Sequence, residues 1–209
     1  YYRIDKTRIY TGKLKKKQKK ENLKIVENIF DIDPEIILAI WGLESFYGKN
    51  LGSYSIVPSL ATLSFDHRRG EFYKKQLFAA LKIIDQKLVS PELLIGSWAG
   101  AMGQVQFLPT TYLESAFDFD KDGKKDIWNN ELDVFASIAN YLTSIDKVPW
   151  NISSSWGMEV IPPDNIKNIY DSLKRKNPKG CYAVKSMSIE KSLSEWSKLG
   201  FKKIDNSNL

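Results

Sequence analysis

Apolar positions along this chain recur mostly at helical spacing. From about Lys13 to Phe30, the residues Leu23, Val26, Ile29 and Phe30 fall on one side beneath a run of lysines, which predicts an amphipathic helix. A second helix is predicted to follow at once. Asp33 can cap it, Pro34 suits its first turn, Ile36 to Leu43 is nearly all apolar, and Gly48 offers a stop. Such a helix should be buried on most faces. Between Phe72 and Leu88, the stripe Tyr73, Leu77, Leu81, Ile84 and Leu88 predicts a third helix that serves the core. Val134, Ile138, Tyr141 and Leu142 mark another, with Asp133 as its cap. Ser188 to Leu199 reads as a last helix, with Leu193, Trp196 and Leu199 on one side and Gly200 closing it.

The pattern changes from Trp150 to Val184. Ser153, Ser154 and Ser155 stand together, Pro162 adjoins Pro163, and apolar runs such as Cys181 to Val184 are short, so this stretch reads as loop with a short strand or two. The expected class is mainly α. Residues 1–150 form a helical core, and residues 151–209 a smaller irregular and helical part of the same domain, loop-rich or partly β. With 209 residues and 43% hydrophobic content, the chain can bury one substantial core.

No apolar run approaches the roughly 20 residues that span a bilayer, and the sequence opens on Tyr1 without a charged and apolar leader. The single Cys181 forbids an internal disulfide, which decides nothing about compartment. The formal charge of +6 favours anionic partners, and much of the excess lies in Lys13, Lys15, Lys16, Lys17, Lys19, Lys20 and Lys24. Nucleic acid, anionic lipid and a carboxylate-rich cell wall all qualify, beside the plain reading of a solvated helix face. No arginine-rich stretch interleaved with aromatics, zinc-finger spacing or phosphate loop accompanies the lysines, so nucleic acid is not the expected partner.

One carboxylate stands out. Glu44 lies in Ile-Leu-Ala-Ile-Trp-Gly-Leu-Glu, with Ile40 and Trp41 one helical turn back. If that apolar setting desolvates it, its pKa rises and the proton needed by a general acid stays available near neutrality. The alternative is a glutamate that is exposed or paired with a lysine. Both readings fit the residues.

Three ordered blocks carry a family resemblance. The first is Gly42-Leu43-Glu44-Ser45-Phe46-Tyr47-Gly48, followed by Ala61-Thr62-Leu63-Ser64-Phe65; the second is Gly96-Ser97-Trp98-Ala99-Gly100-Ala101-Met102-Gly103-Gln104-Val105-Gln106-Phe107-Leu108-Pro109. The third is Asp118-Phe119-Asp120-Lys121-Asp122-Gly123, leading to Ala139-Asn140-Tyr141. Together the stretch from Asp33 to Leu142 resembles the membrane-bound lytic murein transglycosylase B family. The resemblance implies a lysozyme-like helical core and a lytic transglycosylase that cleaves the MurNAc-GlcNAc β-1,4 bond of peptidoglycan, with formation of 1,6-anhydro-MurNAc.

By the same matching, Glu44 corresponds to the family's sole catalytic carboxyl. Ser97, Met102, Gln104 and Gln106 resemble cleft-lining residues, and Tyr141 a tyrosine facing the reacting sugar. Ordinary glycosidases use two carboxyls. No second acid accompanies Glu44 in the sequence, which agrees with a nucleophile supplied by the sugar's own C6 hydroxyl. No cofactor is then required for the chemistry. The expected partner is the peptidoglycan glycan strand, acted on by a monomer in the periplasm, with outer-membrane anchoring left open. A lysozyme-type hydrolase and a non-catalytic wall-binding protein are the alternatives.

Asp118, Asp120 and Asp122 before Gly123 match the first half of an EF-hand loop. Asn129 stands where that loop has its twelfth-position glutamate. The family resemblance implies an extended calcium loop, which brings in Asp133 as a ligand, Lys124 through its carbonyl, and a calcium ion of structural role. A polar turn that needs no metal is the alternative. The family also carries chain before the lysine-rich helix and, after the segment like Ser188 to Leu199, a block with an Arg-Tyr-Asn run that lines the active site. This sequence stops at Leu209 without that block, so part of the cleft is expected to be missing.

Overall fold

The computed structural model describes residues 5–66, 68–144, 157–177 and 185–209. Its contacts divide the chain into two compact units, Tyr1–Ile152 and Ser153–Leu209.

In the first unit, the lysine-rich segment forms two helices, where the apolar pattern predicts one. Helix α1 (Lys6–Gln18) and helix α2 (Lys20–Phe30) are separated at Lys19, whose backbone leaves helical geometry at φ −108°, ψ 16°. Lys19 bonds Glu131 at this joint, Nζ to carboxylate 2.6 Å, so its charge is held inward. Asp5 caps α1 by accepting from the Arg8 N–H at 2.8 Å. Leu23 and Val26 are buried as expected, whereas Ile29 is 60% exposed. Phe30 packs edge-on against Phe117, ring centroids 5.2 Å apart.

Helix α3 (Pro34–Ser45) begins on Pro34 as expected, but the Asp33 side chain makes no capping bond. Its end comes earlier than Gly48. Phe46, Tyr47 and Gly48 all adopt positive φ, at 53°, 59° and 80°, so the chain leaves the helix two residues before the glycine. Helices α4 (Ile56–Ser64) and α5 (Gly70–Asp85) pack together, and α6 (Pro109–Ser115) rests on α5. The most buried seam of α5 runs through Tyr73, Gln76, Ala80 and Ile83; of the expected stripe, Leu77, Ile84 and Leu88 pack partly buried against the core and Leu81 is exposed. That seam is rotated from the expected leucine stripe because Gln76 finds partners indoors: its Oε1 accepts from the N–H and the hydroxyl of Thr110 at 3.1 Å each.

Helix α7 (Glu131–Ser144) is buried continuously from Asp133 to Ala139 and packs on α2, α3 and α6. Its cap is not Asp133. The Asn130 side chain accepts from the N–H of Leu132 at 3.0 Å, and Asp133 lies within the first turn. Two short strands, β1 (Tyr54–Ser55) and β2 (Ile95–Gly96), pair antiparallel. Bridges from Gly96 to Met102 and from Met102 to Phe107 extend this small sheet. Trp41, Ile56, Leu60, Ile83, Met102 and Phe135 lie at the centre of the core.

In the second unit, β3 (Val160–Ile161) pairs antiparallel with β4 (Lys202–Lys203). Helix α8 (Ile166–Ser172) and helix α9 (Leu193–Lys198) complete it among the described residues. Helix α9 starts later than the apolar pattern predicts. Ser192 and Glu195 form a reciprocal capping box that fixes the start, and Ser188 instead bridges to Arg175. Gly200 follows the helix at φ 94°, as its expected stop. The expected short strand at Cys181 to Val184 and the serine run at 153–155 lie outside the described residues. No described helix is long and apolar enough to cross a membrane.

Candidate active site

The expected desolvation of Glu44 is absent, because its side chain is exposed on the last turn of α3. Nor is it held by a lysine. Glu44 makes no ion pair and no side-chain hydrogen bond among the described residues, so its carboxylate is free to meet a ligand. Its neighbours, in contrast, are tightly built. Ser45 is fully buried, donates from its hydroxyl to the Trp41 carbonyl at 3.2 Å, and accepts from the Gly48 N–H at 3.0 Å.

Tyr47 locks the same turn from the other side. Its ring stands edge-on to Trp41 at 5.4 Å, and its hydroxyl donates to the Arg8 carbonyl on α1 at 2.9 Å. Burial pushes this phenol's pKa up from its ordinary value. The ring fits only because two glycines face it. A Cβ at Gly42 would come within 2.6 Å of both the Tyr47 Cζ and Oη, and one at Gly12 within 2.5 Å of Oη. The sequence holds a signal for this arrangement. A glycine inside a helix costs roughly 1 kcal/mol against alanine, so Gly12 and Gly42 each need a packing reason.

Gln104 is buried and both ends of its amide are engaged. Its Oε1 accepts from the Trp41 indole N–H at 2.7 Å, and its Nε2 donates to the Trp128 carbonyl at 2.7 Å. It therefore braces α3 against the loop before α7, with each end of its amide already holding a protein partner. Met102 is likewise interior, fully buried between its bridges to Gly96 and Phe107.

Three expected residues keep usable groups. Ser97 is part-buried and accepts the Ala101 N–H at 3.0 Å, which leaves its hydroxyl proton to donate elsewhere. Gln106, at φ 51°, donates from Nε2 to the carbonyls of Gly103 at 2.9 Å and Leu51 at 3.3 Å, and its Oε1 has no donor among the described residues. Tyr141 is part-buried with its ring 5.3 Å from Phe107, and its hydroxyl makes no hydrogen bond among the described residues. The loops are gathered by close backbone approach. A Cβ at Gly52 would strike the Gly96 carbonyl, and one at Gly48 would strike the Gln104 amide. The structure thus joins the turn after Glu44 to the segments that hold Ser97 and Gln106, with Gln104 and Met102 as their support.

The acidic loop is a separate cluster. One carboxylate oxygen each from Asp118, Asp120 and Asp122 lies within 4.8 Å of the others. Asp118 Oδ1 is buried without a hydrogen-bond partner, while its Oδ2 accepts from the Gly123 N–H at 2.9 Å. An orphaned oxygen beside two further carboxylates suits a hard cation. The Lys124 N–H donates to Asp122 at 2.8 Å, and no backbone N–H among the described residues is seen donating to the Lys124 carbonyl. Asp133 is set apart from the three. Fully buried, it accepts from the N–H groups of Phe119 and Asp126 at 2.8 Å each, closing the loop from below. Burial pushes its pKa up to about 6, against the two backbone hydrogen bonds that favour its charged form. Sequence reasoning did not single out Asp126 as a turn-former; it accepts from the N–H groups of Trp128 and Asn129 at 2.9 Å each.

The model of a family described as the transglycosylase SLT domain matches residues 1–208. The chain belongs to that family. Within 114 residues, this SLT-domain chain is 40% identical to the membrane-bound lytic murein transglycosylase B of Escherichia coli K12, covering 54% of the chain and 31% of that protein. Its fold is similar to SltB3 from Pseudomonas aeruginosa in complex with NAG-anhNAM-pentapeptide, at TM-score 0.83 and 38% identity over 99% of this chain and 51% of that one. It is also similar to the Escherichia coli lytic transglycosylase Slt35 in complex with calcium, at TM-score 0.76 and 27% identity over 99% of this chain and 62% of that one. The SLT-domain chain thus spans about a third to a half of the first relatives it matches. The mainly helical, lysozyme-like core expected from the sequence is the fold observed.

Proposed function

We propose that this chain cleaves the MurNAc-GlcNAc β-1,4 bond of peptidoglycan as a lytic transglycosylase, with Glu44 as both acid and base and the first unit carrying the chemistry. The observation that carries this reading is the free Glu44 carboxyl, exposed at the end of α3 on a turn that Ser45, Tyr47 and Gln104 hold rigid. A bound glycan strand, by covering that exposed position, removes the water around it, so exclusion of solvent comes from substrate and not from the helix.

In this mechanism protonated Glu44 donates to the glycosidic oxygen as the bond from that oxygen to C1 of MurNAc breaks. The resulting Glu44 carboxylate removes the proton from the C6 hydroxyl of the same sugar, and O6 closes on C1 to give the 1,6-anhydro ring. No water is consumed and no second carboxyl is needed; the nucleophile is already held in place by the sugar ring. The Tyr141 hydroxyl is assigned to the developing positive charge, the Ser97 hydroxyl and the Gln106 Oε1 to hydroxyl and acetamido groups. The binding of NAG-anhNAM-pentapeptide by SltB3 supports this substrate class. No cofactor takes part.

Asp118, Asp120, Asp122 and the Lys124 carbonyl are the groups that would hold a calcium ion, with Asp133 bracing the loop through backbone N–H groups. Such an ion stiffens the loop and supplies no catalytic chemistry. The same reading puts the protein in the periplasm, where its wall substrate lies, and takes it to act as a monomer.

The reading is tested by digesting purified sacculi and identifying the products by mass spectrometry. Anhydro ends, lighter than reducing ends by one water, are expected from the wild type, and Glu44→Gln is expected to lower their release by about 10²- to 10⁴-fold. Wild-type release by Glu44→Gln would overturn the assignment, and reducing ends would replace it with hydrolysis.

A further inference from the structure

A half-enclosed cavity lies between the joint of α1 and α2 and the start of α3, at the opposite end of α3 from Glu44. Its volume is about 250 Å³. A cavity of roughly 150 Å³ already holds a benzene molecule, so this one has room for a single amino acid. Three lysines and three carboxylates line it. Lys16, Lys20 and Lys24 follow one another at four-residue spacing along α1 and α2, and Glu27, Asp33 and Glu35 supply the acids. Leu23 and Pro34 give the walls their apolar part.

Two pairs are already made. Lys16 bonds Glu35, which holds that carboxyl below its ordinary pKa, and Lys24 bonds Glu27 at 3.0 Å. One charge of each sign is left over. Lys20 and Asp33 line the same space, yet among the described residues neither makes an ion pair or a side-chain hydrogen bond. Asp33 stands at the N-cap of α3, where an aspartate ordinarily accepts from an N–H of the first turn, and its side chain makes no such bond. Its carboxylate is uncommitted. A simple anion in this cavity would meet three carboxylates, and a simple cation three lysines. A ligand that carries one charge of each sign finds an uncommitted opposite for both.

We infer that this cavity binds the zwitterionic head of an amino acid, its carboxylate on the Lys20 ammonium and its ammonium on the Asp33 carboxylate. The same head is carried by a free amino acid and by the unlinked end of a diamino acid in a wall peptide. The inference is independent of the cleavage reading, since neither Lys20 nor Asp33 belongs to the site around Glu44.

The test is an amide NMR titration of the full chain, followed at Leu23 and Glu35. One arm uses alanine, alaninamide and N-acetylalanine. The other uses the wall tripeptide L-alanyl-γ-D-glutamyl-meso-diaminopimelate, whose last residue keeps an unlinked head. Alanine, the tripeptide or both should shift the two amides. Alaninamide lacks the carboxylate and N-acetylalanine the ammonium, so each should bind at least about tenfold more weakly than alanine, as loss of one charged hydrogen bond requires. Lys20→Gln and Asp33→Asn should each weaken the bound ligand by a similar factor while keeping the wild-type Tm. Binding of the tripeptide alone assigns the site to wall peptide and binding of alanine alone to free amino acids; either result supports the inference. No shift with either ligand would overturn it, as would equal binding by the single-charge analogues or undiminished binding by both variants. Since binding needs no turnover, the result reads the same whether or not the cleavage reading holds.

Discussion

The indole N–H of Trp41 donates to the Oε1 of Gln104 at 2.7 Å, and this bond ties the helix bearing Glu44 to a loop 63 residues away in the chain. Through the other end of its amide, Gln104 also holds the Trp128 carbonyl. Removing the amide strands a buried donor and a buried acceptor, each at a cost of about 1–3 kcal/mol. Gln104→Ala is therefore expected to lower unfolding free energy by roughly 2–5 kcal/mol, read by urea denaturation, with any fall in activity following from the loosened turn after Glu44. A variant of unchanged stability that had lost only affinity for glycan would instead make Gln104 a direct sugar contact.

Much of the architecture was legible because the helices α3, α5 and α7 are long, apolar and punctuated. Sequence blocks also brought Glu44, Ser97, Gln106 and Tyr141 onto the page. What escaped is what depends on pairing at a distance. Nothing local to Gln104 says that its amide is bonded to Trp41 and Trp128, so the sequence shows a polar group at the cleft and not the brace that it also is. Likewise the apolar run before Glu44 reads as a desolvating shell, yet α3 turns Ile37, Leu38 and Trp41 inward and leaves Glu44 outward. The rotated seam of α5 has the same cause: Gln76 is buried because Thr110, 34 residues on, supplies its partners.

The orphaned Asp118 Oδ1 beside Asp120 and Asp122 leads to an expected response to calcium. An ion that binds only the folded protein stabilises it by about 2.7 kcal/mol at 100 times its Kd. For a protein of this size that corresponds to a rise in Tm of about 5–10 °C. Scanning calorimetry in calcium and in chelator should show this difference for the wild type and its disappearance in Asp118→Asn. Coincident melts for the wild type would leave the loop as a polar turn held by its own backbone bonds.

Asp133 supports that loop whether or not an ion is bound. Its two oxygens satisfy the N–H groups of Phe119 and Asp126. In Asp133→Ala both donors lose their acceptor in a buried setting, and a loss of roughly 2–4 kcal/mol is expected by denaturation in chelator. If Asp133 served only as a metal ligand, the same variant would be as stable as the wild type in chelator and weaker only in calcium.

The turn after Glu44 also depends on α1, through the space that Gly12 leaves for Tyr47. A methyl at position 12 would meet the Tyr47 Oη at 2.5 Å and Cζ at 3.3 Å, and on the α3 side the ring lies so close that a Cβ added at Gly42 would come within 2.6 Å of it. Gly12→Ala should improve helix propensity by up to about 1 kcal/mol, but overpacking of this kind costs about 1–3 kcal/mol, so the clash is expected to win. The Tyr47 hydroxyl would lose the Arg8 carbonyl, and the strained run Phe46-Tyr47-Gly48 would shift with Glu44 beside it. Gly12→Ala is therefore expected to lower Tm and to slow sacculus digestion together. In the double variant with Tyr47→Phe, the ring keeps its packing but no longer places an oxygen against position 12, so part of the stability lost should return. A Gly12→Ala protein more stable than the wild type would show that Tyr47 has room to move and that α1 does not hold the turn.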